Sequence, residues 1–279
     1  MNDSFGTRLR ARLDECGPLC VGIDPSPALL DAWGLDDSPS GLERFSRTVV
    51  ETVADVAAVV KPQSAFFERW GSRGIAVLER TIADLREAGT LVLLDVKRGD
   101  IDSTMAAYAE AYLDRGSPLA VDAITLSPYL GFGSLEGAIT SAVANDAGVF
   151  VLARTSNPEA AGLQQLVAGQ VLAGAAAANA GRTPFGPVGV VMGATLPELE
   201  HSLTDLNGPI LAPGLGAQGA TPADVARLFG PVRHAVLPSV SRSVLADPKR
   251  LRTRTLYYRD ECTAYLSGDL TGPRRSSRS

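Results

Sequence analysis

Histidine and cysteine are scarce in this chain of 279 residues, and their scarcity removes whole classes of chemistry. The two histidines, His201 after "LPELE" and His234 before "AVLPSV", have no candidate nucleophile or second ligand nearby in sequence. Neither a histidine-rich zinc site nor a Ser/His/Asp triad is therefore expected, and no metal is expected. Cys16, Cys20 and Cys262 form no disulfide framework and no CxxC pair, so packing roles are expected for them. No apolar run approaches the roughly 18 residues of a membrane span. The opening "MNDSFGTRLRARLDECG" reads as a short amphipathic helix without the apolar centre of a signal peptide, so a cytoplasmic protein without membrane contact is expected. Basic charge is not in excess either: 26 Lys and Arg against 31 Asp and Glu leave a net charge of −5. That balance argues against broad nucleic-acid binding while leaving room for a local anion site.

What the chain has is a regular alternation. Short apolar, β-rich runs bounded by turn residues recur eight times: "PLCVGID" to Asp24, "AAVVKP", "LVLLDVK" to Lys97, "AITLSP", "GVFVLART", "PVGVVMGA", "PILAPGL" and "HAVLPSV" to Val240. Between them lie helical patterns such as "ERFSRTVVETVADVA", "GIAVLERTIADLREAG", "STMAAYAEAYLDRG", "QQLVAGQVLAGAAAANAG" and "TPADVARLF", most with apolar residues three and four apart. Near-continuous apolar strands alternating with helices predict a parallel sheet covered on both sides. Eight such units in one chain predict a single-domain α/β fold, a closed (β/α)8 TIM barrel over residues 1–268. An open dinucleotide-binding sheet is disfavoured, because no GxGxxG follows the first strand. The tail, 269–279, reads as disordered, and the Ala-rich segment 159–187 as either a lid or an extra-long helix.

Barrels of this kind keep their chemistry where strands deliver side chains to the C-terminal face. Here the strand ends carry Asp24, Lys61, Asp95, Lys97, Ser127, Thr155, Ser156, Pro213, Gly214, Ser241 and Arg242. The densest group lies in "LDVKRGDIDS", residues 94–103, where five of ten residues are charged. Strand alternation puts Asp95 and Lys97 on the same side, toward the barrel axis. With Lys61 from the neighbouring strand and Asp100 beyond, they form an alternating chain of charge. Opposite charges about 4 Å apart gain roughly 4 kcal/mol at an effective dielectric near 20, enough to keep a partly buried lysine protonated. A fixed ammonium is a proton donor rather than a Schiff-base nucleophile. The alternative is an ion-pair network that only stabilises the mouth.

A second constellation lies late in the chain. "APGLGAQGATP" is a Gly-rich loop leading to a helix start at Thr221 and Pro222, and "SVSRSVL" places Arg242 at the opening of another helix. Backbone N–H groups plus one arginine make a phosphate site, although Gly214, Gly216 and Gly219 also serve simply as turn residues.

The stretches "VGIDPSP", "VKPQSAFFE", "LDVKRGDIDST", "LSPYLG", "RTSNP", "PGLGAQG" and "SRSVLADP" together resemble the orotidine 5′-phosphate decarboxylase family, in its longer type 2 subfamily, from about Cys20 to Pro248. The resemblance implies decarboxylation of orotidine 5′-phosphate to UMP and CO2 without a cofactor. It implies that Asp24 and Lys61 hold ribose hydroxyls, that Asp95 faces the substrate carboxylate, and that Lys97 donates a proton to C6. Asp100, Ile101 and Thr104 would reach the site of a second subunit in a homodimer. Ser127 would bond the pyrimidine edge, Gln218 would bridge base and phosphate, Pro213 would line the pocket, and Ser241 and Arg242 would hold the phosphate. Many relatives have Gly-Arg where this chain has Ser241-Arg242. A metal-dependent sugar-phosphate aldolase or decarboxylase of the same barrel superfamily, and a silent nucleotide-binding barrel, are the alternatives.

Overall fold

The computed structural model describes residues 3–268; the expected disordered tail lies outside them. Eight parallel strands close into a barrel in sequence order, with the eighth paired to the first. They are β1 (Cys20–Ile23), β2 (Val59–Pro62), β3 (Leu91–Arg98), β4 (Ala123–Leu126), β5 (Gly148–Arg154), β6 (Val188–Met192), β7 (Ile210–Pro213) and β8 (Val236–Val240). Each overlaps one of the eight apolar runs.

The main helices are α1 (Phe5–Cys16), α2 (Pro27–Ala32), α3 (Pro39–Val53), α4 (Ala65–Glu68), α5 (Ser72–Glu87), α6 (Asp102–Leu113), α7 (Glu136–Ala144), α8 (Ala161–Asn179), α9 (Pro222–Phe229), α10 (Arg242–Leu245) and α11 (Leu251–Ser267). Local chemistry sets their starts. Ser38 accepts a hydrogen bond from the N–H of Gly41 with Pro39 in the first turn, so α3 begins four residues before its apolar pattern does. Thr221 and Asp224 cap α9 reciprocally, with Pro222 between them. The long Ala-rich segment is a helix, α8, and its buried face is built from Ala168, Val171, Leu172 and Ala175.

Strand residues of alternate parity build two cores. The outer one packs Val21, Val60, Val92, Leu94, Ile124 and Val149 against helix residues such as Phe45, Val49, Leu78 and Leu85. The inner one fills the barrel with Cys20, Val59, Leu91, Leu93, Ala123, Phe150, Val191, Leu211 and Leu237. Helix α1 belongs to the inner cluster: Phe5, Leu9 and Leu13 close its floor, with the Phe5 ring edge-on to Phe150 at 6.3 Å between centroids. Continuing the inner parity toward the C-terminal mouth, Val59 is followed by Lys61, Leu93 by Asp95, Ala123 by Thr125 and Leu237 by Ser239, all buried. The interior therefore changes from apolar floor to charged mouth within two residues per strand. All three cysteines are buried and free. Among the described residues no helix is long and apolar enough to cross a membrane.

Candidate active site

Asp95 is the hub of the mouth. One carboxylate oxygen, Oδ2, accepts from Lys61 Nζ at 2.9 Å and from Gln63 Nε2 at 2.9 Å. The other, Oδ1, accepts from Lys97 Nζ at 2.6 Å and from Thr125 Oγ1 at 2.8 Å. Burial by itself raises a carboxyl pKa, but Lys61 and Lys97 more than offset it and hold Asp95 far below the ordinary range. Burial also works against the charge on Lys61, and Asp95 and Asp24 outweigh it, so its ammonium is held above its usual pKa. Lys61 and Asp95 are therefore ionised together. Exposure differs across the array: the Lys61 and Asp95 side chains are 8% and 10% exposed, whereas that of Lys97 is 46% exposed and open to an incoming molecule.

The proximity of Asp95 and Lys97 comes from a strand irregularity. Between β3 and β4, Leu94 pairs with Ile124 and Arg98 with Leu126, so four steps on β3 face two on β4. The extra length is a bulge, and in it Lys97 takes φ of 46°. That left-handed conformation costs a side-chain-bearing residue about 1–2 kcal/mol. The N–H of Lys97 is satisfied by Thr125 Oγ1 at 2.9 Å, so Thr125 serves both ends of the Asp95–Lys97 pair.

Beside this array is a cavity of about 190 Å³ lined by Asp24, Lys61, Gln63, Asp95, Pro213, Gly214, Leu215, Ala217, Gln218, Ser239, Ser241 and Arg242. Seven of these are residues the sequence singled out as ligand-binding or catalytic: Asp24, Lys61, Asp95, Pro213, Gln218, Ser241 and Arg242. Asp24 Oδ1 is buried and has no hydrogen-bond partner among the described residues, which leaves it available as an acceptor. An adjoining hollow shares Asp24, Gln63 and Asp95 and adds Lys97 and Arg98. Both oxygens of Asp95 are taken by lysines, which leaves the carboxylate poorly suited to metal ligation, and among the described residues no three His, Cys, Asp or Glu side chains gather as a ligand set.

The loop after β7 folds back on itself, with the N–H of Gly216 bonded to Ala220 O at 2.8 Å. Gly216 has φ of 76°, and a Cβ there would lie 2.4 Å from Ser243 Oγ, so this glycine both makes the turn and admits α10. Gln218 is held over the cavity by Ser156, whose hydroxyl donates to Gln218 Oε1 at 2.8 Å. Ser241 is received by Gly22: a Cβ on Gly22 would sit 2.9 Å from that of Ser241. The serine that departs from Gly-Arg is thus matched by a glycine across the β1–β8 seam.

Four expected residues lie apart from both hollows. The N–H of Ser127 donates to Arg98 O at 2.7 Å, which sets Ser127 against the end of β3. Asp100 Oδ1 accepts from the N–H of Ile101 at 2.8 Å, and no ion pair joins it to Lys97 of the same chain among the described residues. Ile101 is 52% exposed, and Thr104 is also exposed. Among the described residues of this chain, the expected run of alternating charge thus extends from Lys61 through Asp95 to Lys97 and does not include Asp100. Gln63 and Thr125 were not singled out from sequence; each sits two residues from a recognised strand-end position or within its run, and inner parity with Lys61 and Ala123 is the signal that finds them.

A closed parallel barrel with a fixed lysine–aspartate–lysine array and an adjacent glycine-rich loop at its C-terminal mouth has the build of a (β/α)8 barrel enzyme. The model of the orotidine 5′-phosphate decarboxylase / HUMPS family matches residues 17–253. A Salinispora tropica protein named orotidine 5′-phosphate decarboxylase is 57% identical over 276 residues, covering 95% of this chain and 99% of that one. One of the same name from Streptomyces coelicolor is 58% identical, covering 90% and 94%. A crystal structure from Streptomyces avermitilis superposes with a TM-score of 0.93 at 54% identity, covering 96% of this chain and 97% of that one. The chain belongs to the orotidine 5′-phosphate decarboxylase / HUMPS family.

Proposed function

We infer that the chain is a carboxy-lyase that decarboxylates orotidine 5′-phosphate to UMP and CO2 in pyrimidine biosynthesis. The observation that carries this reading is the Lys61–Asp95–Lys97 array, with Lys97 alone of the three half-exposed beside the cavity. The bond from C6 to the carboxylate carbon breaks, CO2 leaves, and its electron pair stays on C6, where no neighbouring carbonyl takes it up as an enolate. Lys97 Nζ, positioned by its hydrogen bond to Asp95, stabilises that charge as it forms and then gives it a proton. Asp95, kept ionised by its two lysines, faces the substrate carboxylate and favours its loss.

Asp24 and Lys61 take the ribose hydroxyls, which fits the unpartnered Oδ1 of Asp24. Pro213 lines the base pocket, and Gln218, steadied by Ser156, bridges base and phosphate. The Arg242 guanidinium and the Ser241 backbone bind the phosphate, supplying remote binding energy for orientation at C6. Ser127 meets the pyrimidine edge from the β4 side.

The working unit is a homodimer in which Asp100, Ile101 and Thr104 serve the partner's site. The exposure of Ile101 and Thr104, and an Asp100 carboxylate not engaged with Lys97 of its own chain, support this. The enzyme works in the cytoplasm; three free cysteines suit a reducing compartment.

The test follows the loss of orotidine 5′-phosphate absorbance for wild type and Lys97→Ala with and without EDTA. Turnover by wild type that survives chelation and is abolished in Lys97→Ala is the expected result. Loss of activity on chelation favours the metal-dependent relative, and retention of kcat/KM by Lys97→Ala overturns the proton-donor role. Mixing inactive Lys97→Ala with inactive Asp100→Ala subunits is expected to restore activity, because one site of each mixed dimer is intact; no recovery after demonstrated exchange overturns the shared site.

A further inference from the structure

Glu68, the last residue of the "KPQSAFFE" stretch, has no place in the decarboxylation chemistry, and neither has Arg98, the neighbour of Lys97. Arg98 Nη2 donates to Glu68 Oε1 at 2.5 Å, and Glu68 Oε1 also accepts from Ser64 Oγ at 2.6 Å. The same guanidinium reaches Tyr112 OH at 3.3 Å, lies 5.5 Å from the ring centre of Tyr108, and donates through Nη1 to Val96 O at 3.2 Å. The N–H of Ser64 in turn donates to Asp95 O at 3.3 Å. One cation thus ties the segment after β2 and helix α6 to the backbone on both sides of Lys97, where the bulge and the φ of 46° place that lysine outside ordinary strand geometry.

We propose that Arg98 and Glu68, with Ser64, form a clamp of positioning residues that holds the β3 bulge so that the Lys97 ammonium points at the reacting carbon. The assignment rests on Lys97 as the proton donor. A left-handed residue in a parallel strand persists only where its surroundings over-determine it. The hydroxyl of Thr125 holds Lys97 from the barrel side, and the clamp holds the next residue from the outer side. An ion pair made only for stability has no reason to converge on the two residues flanking the donor. Because small misplacements of a reacting group cost large factors in rate while leaving binding intact, loosening the clamp acts on kcat rather than KM.

The experiment measures kcat, KM for orotidine 5′-phosphate and thermal unfolding for wild type, Arg98→Met, Glu68→Gln, the double variant and Lys97→Ala. Arg98→Met keeps the stem and loses the guanidinium; Glu68→Gln keeps the shape and loses the charge. Each single change is expected to lower kcat by about tenfold with KM within about twofold, and the double variant to be no worse than the poorer single one. Ser64→Ala removes a single hydroxyl, is the variant to rely on if Arg98→Met does not fold, and is expected to lower kcat about threefold. Wild-type kcat in folded clamp variants, a rise in KM alone, or multiplicative losses in the double variant overturn the clamp. Turnover by Lys97→Ala overturns the donor reading instead, so the two failures are told apart.

Discussion

The two ends of one barrel are made from the same strand faces and have opposite characters. At the floor, Val59, Leu93, Ala123 and Leu237 join Phe5 and Phe150 in a buried apolar cluster closed by α1. Two residues further along the same strands, Lys61, Asp95, Thr125 and Ser239 occupy the same inward positions. The floor is stabilised by burial of apolar surface, which is non-directional and tolerant of exchange among similar shapes. The buried part of the mouth depends on paired charge, and removing the Asp95 carboxylate takes the hydrogen-bonded partner from both lysines. The fold keeps its chemistry at the C-terminal mouth, and the side chains at the strand tips give that mouth its polar character.

Substitutions at the two ends are expected to separate activity from stability. The largest effect is that of Lys97→Ala, which should lower kcat/KM by at least about 10³-fold while changing unfolding free energy by less than about 1 kcal/mol, since the lost ion pair is half-exposed and Asp95 keeps Lys61. Steady-state rates beside a urea titration check both halves. Asp95→Asn breaks the contrast from within the mouth: it should abolish measurable turnover and also cost about 3 kcal/mol of stability, because Lys61 is left buried without its hydrogen-bonded carboxylate and with only Asp24 to offset its charge. At the floor, Phe150→Ala should cost about 3–5 kcal/mol, with kcat of the folded fraction within about threefold of wild type. A kcat collapse there would show that the floor sets the geometry of the mouth.

The smallest effect is in the pH dependence of stability. The native pKa of Asp95 is depressed, so its contribution is complete above the unfolded value of about 3.9 and is lost as pH falls below it toward the native value. Wild type should therefore lose stability more steeply than Asp95→Asn between about pH 4 and 2. Lys61 is raised, so its contribution is complete below about 10.4 and declines only as pH climbs beyond that toward its native value. Denaturant titrations at fixed ionic strength read both slopes.

Eight strands were legible because each is a short apolar run stopped by a turn residue, and Asp24, Lys61 and Asp95 were legible because a charge ending such a run is conspicuous. Gln63 and Thr125 were not, since an amide after a strand and a threonine inside one are ordinary residues in those places. Strand period correctly brought Asp95 and Lys97 together, but the means was different: regular alternation was expected, and the strand bulges instead. Nothing in "LVLLDVK" marks two surplus residues, because bulges depend on what the neighbouring strand offers. The amphipathic face of α1 was visible in sequence, whereas its docking under Phe150 depends on contacts between residues nearly 150 positions apart. Glu68 and Arg98 are 30 residues apart in sequence, and the side-by-side pairing of β2 and β3 brings them together.

The bulge in β3 also bears on how the chain tolerates a change of length. Four steps on β3 face two on β4, so the ladder has a surplus of two residues between Leu94 and Arg98. Removing one residue there reverses the parity of every later position in the strand and turns its tip inside out. On its other side β3 stays in step with β2, where Val60 pairs with Val92 and Gln63 with Asp95, so the surplus exists only against β4. Lys97 therefore sits on a stretch that one neighbouring strand leaves unpaired while the other holds Asp95 in register, so the offset that places this lysine belongs to the β3–β4 seam alone.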